Sequence, residues 1–298
     1  MATKKRGVLL LALGHSMYGQ LAANLAASIK TNSPDVKVHL AWAGDVLKEI
    51  KPETAKALFD SMAEVPHDCY HHESGKRSYI KAKIMMYQLS PFDTTIFLDV
   101  DVILTPQKRF GELFDILGHL DFTMENRGRV NMSAPTETDT YLWGSIPEIK
   151  KAYDIDEGFL YALHSEFVFF KRNKRVREFF KTTERVFSKP KVTVKEFNGD
   201  LPDEFGFAIA MMKHQMYPHQ CPYKPLYWQL MDNKGGTSLS HVIANFYGYS
   251  VGGYKTPQNV QKNYSRLARA VFYRLFGRGQ KSFKFRPKRD WSATRKVL

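Results

Sequence analysis

Two aspartates one residue apart, Asp99 and Asp101, stand directly behind the apolar run Thr95-Ile96-Phe97-Leu98. Carboxylates in that position make chemical sense through a divalent cation. Mg2+ and Mn2+ take hard oxygen ligands, and two side chains flanking Val100 on a bent strand end can both turn to one ion. A cation held there would shield a diphosphate, whose charge repels bare carboxylates, and would neutralise the charge that grows as a diphosphate departs. A strand-end Asp pair can also do no more than cap a turn. The run IFLDVDVIL, apolar on both sides of the acids, favours the metal reading.

Such a pair must be delivered by a strand that stops at an open edge, and the chain reads as an α/β protein that supplies one. Gly7–Gly14 (GVLLLALG) is a strand buried on both faces, and Gln20–Lys30 follows with Leu21, Leu25 and Ile29 at helical spacing. Val36, Val38, Leu40 and Trp42 alternate with polar or small residues, which marks a second strand ending near Gly44-Asp45. A short helix is expected over Thr54–Met62, and another from Ser78 to Leu89, where Ser90-Pro91 stops it. Thr95–Leu98 is then the strand that carries the acids. Beyond it, Leu113–Leu120 reads as a helix, Phe122–Met124 and Phe167–Phe170 as strands, and Glu125–Ile146 as a long polar loop. Val176, Phe179, Phe180, Thr183 and Phe187 mark a further helix, and Asn198–Glu204 a loop opening the helix Phe205–Met212. Tyr264, Leu267, Ala268, Val271, Phe272, Leu275 and Phe276 form the stripe of an amphipathic helix, with Arg266, Arg269 and Arg274 off it.

A chain of 298 residues with 43% apolar and 13% aromatic content is globular rather than disordered. Its longest apolar run, Gly7–Gly14, falls well short of the roughly 18 residues a membrane span requires. Lys4-Lys5-Arg6 before that run imitate a secretory leader, but the run passes into a helical pattern with no cleavage-like site. Two cysteines, Cys69 and Cys221, are too few for a disulfide framework and fit a reducing cytoplasm. The net charge of +14 is unevenly spread. Twelve Lys/Arg and one acid lie in Lys262–Leu298, nine Lys/Arg and two acids in Lys171–Lys191, and the rest of the chain is net acidic. Two basic patches of this kind imply a polyanionic partner.

With an apolar strand ending in Asp99-Val100-Asp101, the chain resembles the GT-A fold glycosyltransferases, particularly the retaining family 8 type. The resemblance runs from Gly7 to about Gly248. It implies a Rossmann-like mixed sheet flanked by helices over residues 1–255, followed by a basic amphipathic helix and tail over 256–298. It also implies an enzyme that moves a sugar from a nucleotide-sugar, a UDP-sugar in the first instance, with Mn2+ or Mg2+ on Asp99 and Asp101. The family's Tyr-Ala-Arg before the acids is matched by Tyr79-Ile80-Lys81, which assigns Lys81 to the donor diphosphate. Lysine lacks the bidentate fork of arginine, and a solvated helix face accounts for Lys81 and Lys83 equally well. The loop after the first strand would hold the nucleotide base with Leu13, Gly14 and Tyr18, although a tyrosine there also packs readily. The resemblance makes His241, in Ser240-His241-Val242-Ile243-Ala244-Asn245, a third metal ligand, and Lys255, in Gly252-Gly253-Tyr254-Lys255, a second diphosphate contact. The family's Lys-Pro-Trp ending is absent, and His241 stands equally as a helix or turn histidine. The catalytic acid falls on Asp203-Glu204: a base if the enzyme inverts, a positioning group if it retains. The same two residues read as an N-cap and a first-turn acid. Glu166, beside Ser165, is the second candidate.

His67, Cys69, His71 and His72 crowd one loop, but structural zinc takes ligands from two separated pairs and no second pair is evident. The carboxyl-terminal basic region, with Phe272, Tyr273, Phe283, Phe285 and Trp291 among its cations, suits phosphate neutralisation and base stacking. That composition points to nucleic acid, and the compact build resembles that of viral glycosyltransferases that modify DNA; the resemblance implies DNA as the partner and a 5-hydroxymethylated pyrimidine as the acceptor, flipped from the stack beneath a lid formed by Glu125–Ile146. A basic amphipathic helix equally suits an anionic membrane surface and a glycan or lipopolysaccharide acceptor there. A third reading is a nucleic-acid-binding protein without enzymatic activity, its acid pair structural. No protein partner is evident.

Overall fold

The computed structural model describes residues 5–134, 140–141, 143–197, 199–219, 224–228, 238–251, 258–277 and 281–283. In chain order its elements begin with β1 (Arg6–Gly14), α1 (Ser16–Asn32), β2 (Lys37–Gly44), α2 (Pro52–Leu58) and β3 (Ser61–Glu64). There follow α3 (Tyr79–Ile84), α4 (Met86–Leu89), β4 (Thr94–Leu98), β5 (Val102–Leu104), α5 (Leu113–Ile116) and β6 (Phe122–Asn131). A hairpin of β7 (Thr140–Tyr141) and β8 (Gly144–Ser145) leads to α6 (Ile146–Tyr153), β9 (Phe159–Lys171), α7 (Lys174–Ser188) and α8 (Asp203–His214). The last elements are β10 (Lys224–Trp228), α9 (Leu239–Asn245), β11 (Phe246–Ser250) and α10 (Gln258–Phe276). The main sheet is six-stranded and mixed, as the α/β reading requires. Among the described residues no helix is long and apolar enough to cross a membrane.

The chain forms two compact units. The amino-terminal unit contains Arg6–Glu64, Leu98–Ile116 and the described part of Gln220–Leu298; the central unit contains Val65–Phe97 and Leu117–His219. In the amino-terminal unit the sheet runs β3-β2-β1 with all pairs parallel. Strand β1 is buried from Gly7 to Leu13, which is why its sequence is continuously apolar instead of alternating. Gly14 and Gly44, register partners at the carboxyl ends of β1 and β2, both adopt positive φ, at 84° and 79°. A Cβ on Gly44 would stand 2.8 Å from the Gly14 carbonyl oxygen, so the two strand ends come this close only because Gly44 has no side chain. A second sheet in this unit orders β10-β11-β5.

Helix α10 packs against α1. Its predicted stripe is buried at Tyr264, Leu267, Ala268, Val271 and Phe272, while Leu275 is exposed. Asn24 of α1 fixes the pairing from inside: its Nδ2 donates to the Tyr264 hydroxyl at 3.3 Å and to the Phe283 carbonyl at 2.9 Å.

The central unit orders its strands β4-β9-β6, with β6 and β9 antiparallel. Its core is aromatic. Phe122, Phe179, Phe180 and Phe207 meet edge-on, tilted or stacked at 4.2–6.2 Å between ring centroids, and Phe170 and Tyr87 extend the cluster. Each fully buried ring stabilises the unit by roughly 2–3 kcal/mol. Helices α7 and α8 cross tightly at Gly206, where a Cβ would lie 3.1 Å from the Thr183 carbonyl oxygen.

Several local expectations are corrected. The helix expected over Thr54–Met62 ends at Leu58, and Ser61–Glu64 is an edge strand. Asp60 causes the switch: its N–H donates to the Val38 carbonyl, its carboxylate accepts from the Val38 N–H, and Lys30 and Lys37 hold the same carboxylate. All four residues of β3 are exposed, so no apolar alternation announced it. The helix expected over Ser78–Leu89 breaks at Met85, where φ/ψ of −85°/5° divide α3 from α4. The helix expected over Leu113–Leu120 stops at Ile116. The polar segment Glu125–Ile146 is not a single loop. Its first seven residues continue β6, paired to β9, and Ile146 opens α6.

Replacing Gly44 with alanine is expected to cost roughly 3 kcal/mol, because strain at positive φ adds to a backbone clash. Gly75→Ala, at the same φ of 79° but with nothing within 4 Å of the new Cβ, should cost about 1 kcal/mol. Urea denaturation of the two variants measures the difference.

Candidate active site

Strand β4 ends at Leu98 and the next three residues turn. The Val102 N–H donates to the Asp99 carbonyl at 3.2 Å, and the Val251 N–H to the Asp101 carbonyl at 3.1 Å. Val100 points into the core at 5% exposure, leaving the flanking aspartates half-buried. Both main-chain oxygens are thus committed to backbone partners. Asp99 and Asp101 bring one carboxylate oxygen each to within 4.8 Å of the other. One ion with ligand distances of about 2.0–2.6 Å can join them, and a pair of hard oxygens suits Mg2+ or Mn2+. The charge on Asp101 also reaches Tyr264. Burial raises the pKa of that phenol, the Asn24 hydrogen bond lowers it, and Asp101 raises it again.

The other residues of this unit singled out from the sequence fall into different settings. Leu13 is a core side chain at 6% exposure, so any ligand contact falls to its backbone. Gly14 and Tyr18 are half-buried where β1 gives way to α1. The first turn of α1 is pinned there: the His15 Nδ1 accepts from the Met17 N–H, and the Ser16 and Gln20 side chains both donate to Glu49. His241 is exposed on α9, 3.3 Å through Nδ1 from the Asn245 amide. Among the described residues it does not join Asp99 and Asp101 at ligand spacing. Lys255 lies outside the described residues.

A second constellation occupies the central unit, where charged groups have been drawn out of water. Asp203, 4% exposed, is the first residue of α8, behind an N-cap that is Pro202 and not Asp203 itself. The Lys83 ammonium lies 3.6 Å from its carboxylate and donates to the Ser165 hydroxyl at 3.0 Å. Burial alone would raise the pKa of Asp203, but Lys83 and hydrogen bonds from Glu204 and Ser165 outweigh it, and the group is held below the usual carboxylate range. Glu204 moves the other way. Burial, then the Asp203 charge and the hydrogen bond to it, push Glu204 up to about 8 against the opposing pull of Lys83. The pair therefore shares its charge unequally, with Asp203 ionised and Glu204 carrying the proton at neutral pH.

Beside it, His164 is 3% exposed between two acids, with Nδ1 3.7 Å from Glu125 and Nε2 3.3 Å from Glu166. Burial opposes its charge, yet the two glutamates prevail and lift it to about 9. Arg127 adds a cation whose field reaches Glu204, Glu166 and Glu125. These residues gather where β6 and β9 lose register. Met124 pairs with Val168 but Glu125 with His164, so Ser165, Glu166 and Phe167 bulge from β9, and a second shift leaves Arg127 as the extra residue on β6. Bulges re-aim side chains that a regular pleat would send to opposite faces.

Of the residues the sequence singled out, Asp203, Glu204 and Glu166 belong to this constellation. Lys81 is placed apart from it, its ammonium spent on the carbonyls of Asp68 and His71 at 2.7 Å each. Lys83, His164, Glu125 and Arg127 were not identified from the sequence. The placement of Glu125, Arg127 and His164 depends on the two register shifts and that of Lys83 on the packing of α3 against α8, neither of which leaves a trace in composition or periodicity. In the loop of His67, Cys69, His71 and His72, His67 and His71 stack at 3.5 Å, and among the described residues these side chains form no group at metal-ligand spacing.

No family model matches the sequence, and no curated protein matches it. Solved structures do resemble its fold. The apo structure of the bifunctional glycosyltransferase WbbM aligns over 92% of this chain with a TM-score of 0.58 and 12% identity. The chain spans about half of that protein, 52% of its length. Galactosyltransferase LgtC, solved with donor and acceptor sugar analogues, aligns over 89% of this chain and 95% of its own, with a TM-score of 0.54 and 14% identity. At such identities the likeness is one of fold, and that fold is the GT-A glycosyltransferase architecture.

Lys83→Met should destabilise the central unit by about 3 kcal/mol, because it strands a buried carboxylate, and Lys83→Arg should recover part of the loss. The acid pair also makes stability depend on pH. A carboxyl whose folded pKa is raised loses stabilisation as pH climbs from its unfolded value of 4.5 to about 8. Glu204→Gln, which keeps the neutral shape, is therefore expected to gain on the native protein across that window and then level off. Denaturant titrations at several pH values test both.

Proposed function

We propose that this chain is a metal-dependent glycosyltransferase that moves a sugar from a nucleotide-sugar to an acceptor hydroxyl. The observation that carries the reading is the Asp99–Asp101 pair, with carboxylate oxygens within 4.8 Å at the end of an apolar strand in a GT-A fold. On this reading the two aspartates hold Mn2+ or Mg2+, which when bound supplies positive charge to the diphosphate as the glycosidic bond breaks. Gly14 and Tyr18 receive the nucleotide, for which a UDP-sugar is the first candidate. His241 and Lys255 remain candidates for the diphosphate end.

The central constellation then has a defined part in the chemistry. Asp203, fixed by Lys83 and Ser165, accepts a proton-bearing group, and Glu204 next to it offers one. A carboxyl with its pKa near 8 is mostly protonated at pH 7, so Glu204 gives its hydrogen bond to Asp203 and holds that carboxylate in place instead of acting as a general base. That assignment favours the positioning role expected of a retaining enzyme. Glu166, braced by His164, fixes the neighbouring polar surface.

For the acceptor we favour a 5-hydroxymethylated pyrimidine in DNA. The support is the concentration of cations in two patches of an otherwise acidic chain. Insertion of α10 into a bilayer would need a free apolar helix face, and that of α10 is occupied by α1; a glycan or lipopolysaccharide acceptor at an anionic surface is the second reading.

Nucleotide release from a panel of nucleotide-sugars with Mn2+, with and without hydroxymethylated duplex DNA, tests the proposal directly. Release stimulated by the modified duplex and lowered by roughly a hundredfold or more in Asp99→Asn and Asp101→Asn is the expected result. No turnover on any donor, or turnover indifferent to both substitutions, would overturn it. Activity should decline above pH about 8 as Glu204 loses its proton, and Glu204→Gln should flatten that limb. A rise in rate through the same interval would instead make Glu204 the base.

A further inference from the structure

Helix α10 turns two unlike faces outward and inward. Tyr264, Leu267, Ala268, Val271 and Phe272 are buried, and on the opposite side Lys262, Arg266, Arg269 and Tyr273 are exposed at i, i+4, i+7 and i+11. At 1.5 Å per residue these four make a straight ridge of roughly 16 Å. Neither α10 nor the helix α1 beneath it contains a single acidic residue, so the ridge has no carboxylate on its own two-helix layer to neutralise it. Arg274 flanks it, also exposed. Tyr273, at 56% exposure, is among the most open large side chains described.

We infer that this ridge is a docking surface for the phosphate backbone of nucleic acid. The inference deepens the acceptor half of the proposed function and rests on that reading for its purpose. A row of cations on a rigid helix meets a row of phosphates, and each neutralised phosphate releases condensed counterions, which drives binding without reference to sequence. Two of the three ridge cations are arginines, whose planar fork grips phosphate oxygens in pairs. Tyr273 at the end of the row offers a ring on which an unpaired base can stack. An anionic bilayer is the poorer partner. Insertion would use the apolar stripe, and that stripe is held against α1, with Asn24 bonded to both Tyr264 and Phe283.

The experiment is fluorescence anisotropy of a labelled duplex with the full chain across a salt series. Its counterpart is the triple variant Lys262→Gln, Arg266→Gln, Arg269→Gln, which changes only outward side chains. Removal of three phosphate contacts should reduce the slope of log K against log salt by about 3. Tyr273→Ala should weaken single-stranded DNA more than duplex. A triple variant with unchanged affinity and slope overturns the surface, as does native protein that sediments with phosphatidylglycerol vesicles while ignoring DNA. Donor hydrolysis is read in parallel. Ridge-dependent DNA binding without any turnover sinks the transferase reading and leaves the docking surface standing; turnover with no ridge dependence does the reverse.

Discussion

A carboxylate taken out of water must be matched by a cation or keep its proton, and the central unit is built around that constraint. An unmatched buried charge costs several kcal/mol, a large share of the stability of any domain. Lys83 reaches Asp203, and His164 stands between Glu125 and Glu166. Glu204 lies beside an aspartate that already claims the cation, so it stays protonated. The acid pair is therefore chemically asymmetric even though two adjacent residues of one helix turn supply it. Replacing Lys83 would remove the source of that asymmetry, which makes this lysine a positioning residue for both acids.

The same constraint accounts for the irregular pairing of β6 and β9. A regular pleat sends successive side chains to opposite faces, so His164, Ser165 and Glu166 could not all serve one polar cluster from an unbroken strand. The register shifts at Met124/Glu125 and Asn126/Gly128 release three residues on one strand and Arg127 on the other. Lost ladder hydrogen bonds are offset by ion pairs and by the aromatic core behind the strands, where Phe122, Phe179, Phe180 and Phe207 interlock. The amino-terminal unit meets a different demand. There the carboxylates of Asp99 and Asp101 stay half-buried, and the turn commits backbone carbonyls so that side-chain oxygens converge.

Legibility in the sequence followed the reach of the interactions concerned. Strands β1, β2 and β4 and the Asp99–Asp101 strand end were readable because burial on both faces and apolar alternation are local patterns. Strand β3 was not, since its four residues are exposed and its pairing comes from Asp60 clamping onto Val38. Three members of the central constellation were readable: Asp203 and Glu204 as acids opening α8, and Glu166 as an acid before the apolar run Phe167–Phe170. Their cations were not, because Lys83 meets Asp203 of α8 and Ser165 of the β9 bulge, and His164 meets Glu125, across about 40 to 120 residues of sequence. Lys81 and Lys83 show the limit clearly. Both fit a cation-bearing short helix before the acids, and only tertiary contacts separate the one that grips loop carbonyls from the one that meets Asp203.

Helix α10 has its outward face decided by what covers its inward one. An amphipathic pattern with arginines off the stripe is compatible with a membrane-surface helix and with a core helix that has a basic outer face, and periodicity alone cannot choose. The choice is made by α1, whose small residues Ala22, Ala23, Ala26 and Ala27 are all buried and whose Asn24 hydrogen-bonds across to α10 and to Phe283. With the apolar face occupied, what α10 presents outward is charge on a fixed spacing. The basic residues then form an ordered array on a rigid support, and the proposed phosphate-backbone partner rests on that geometry.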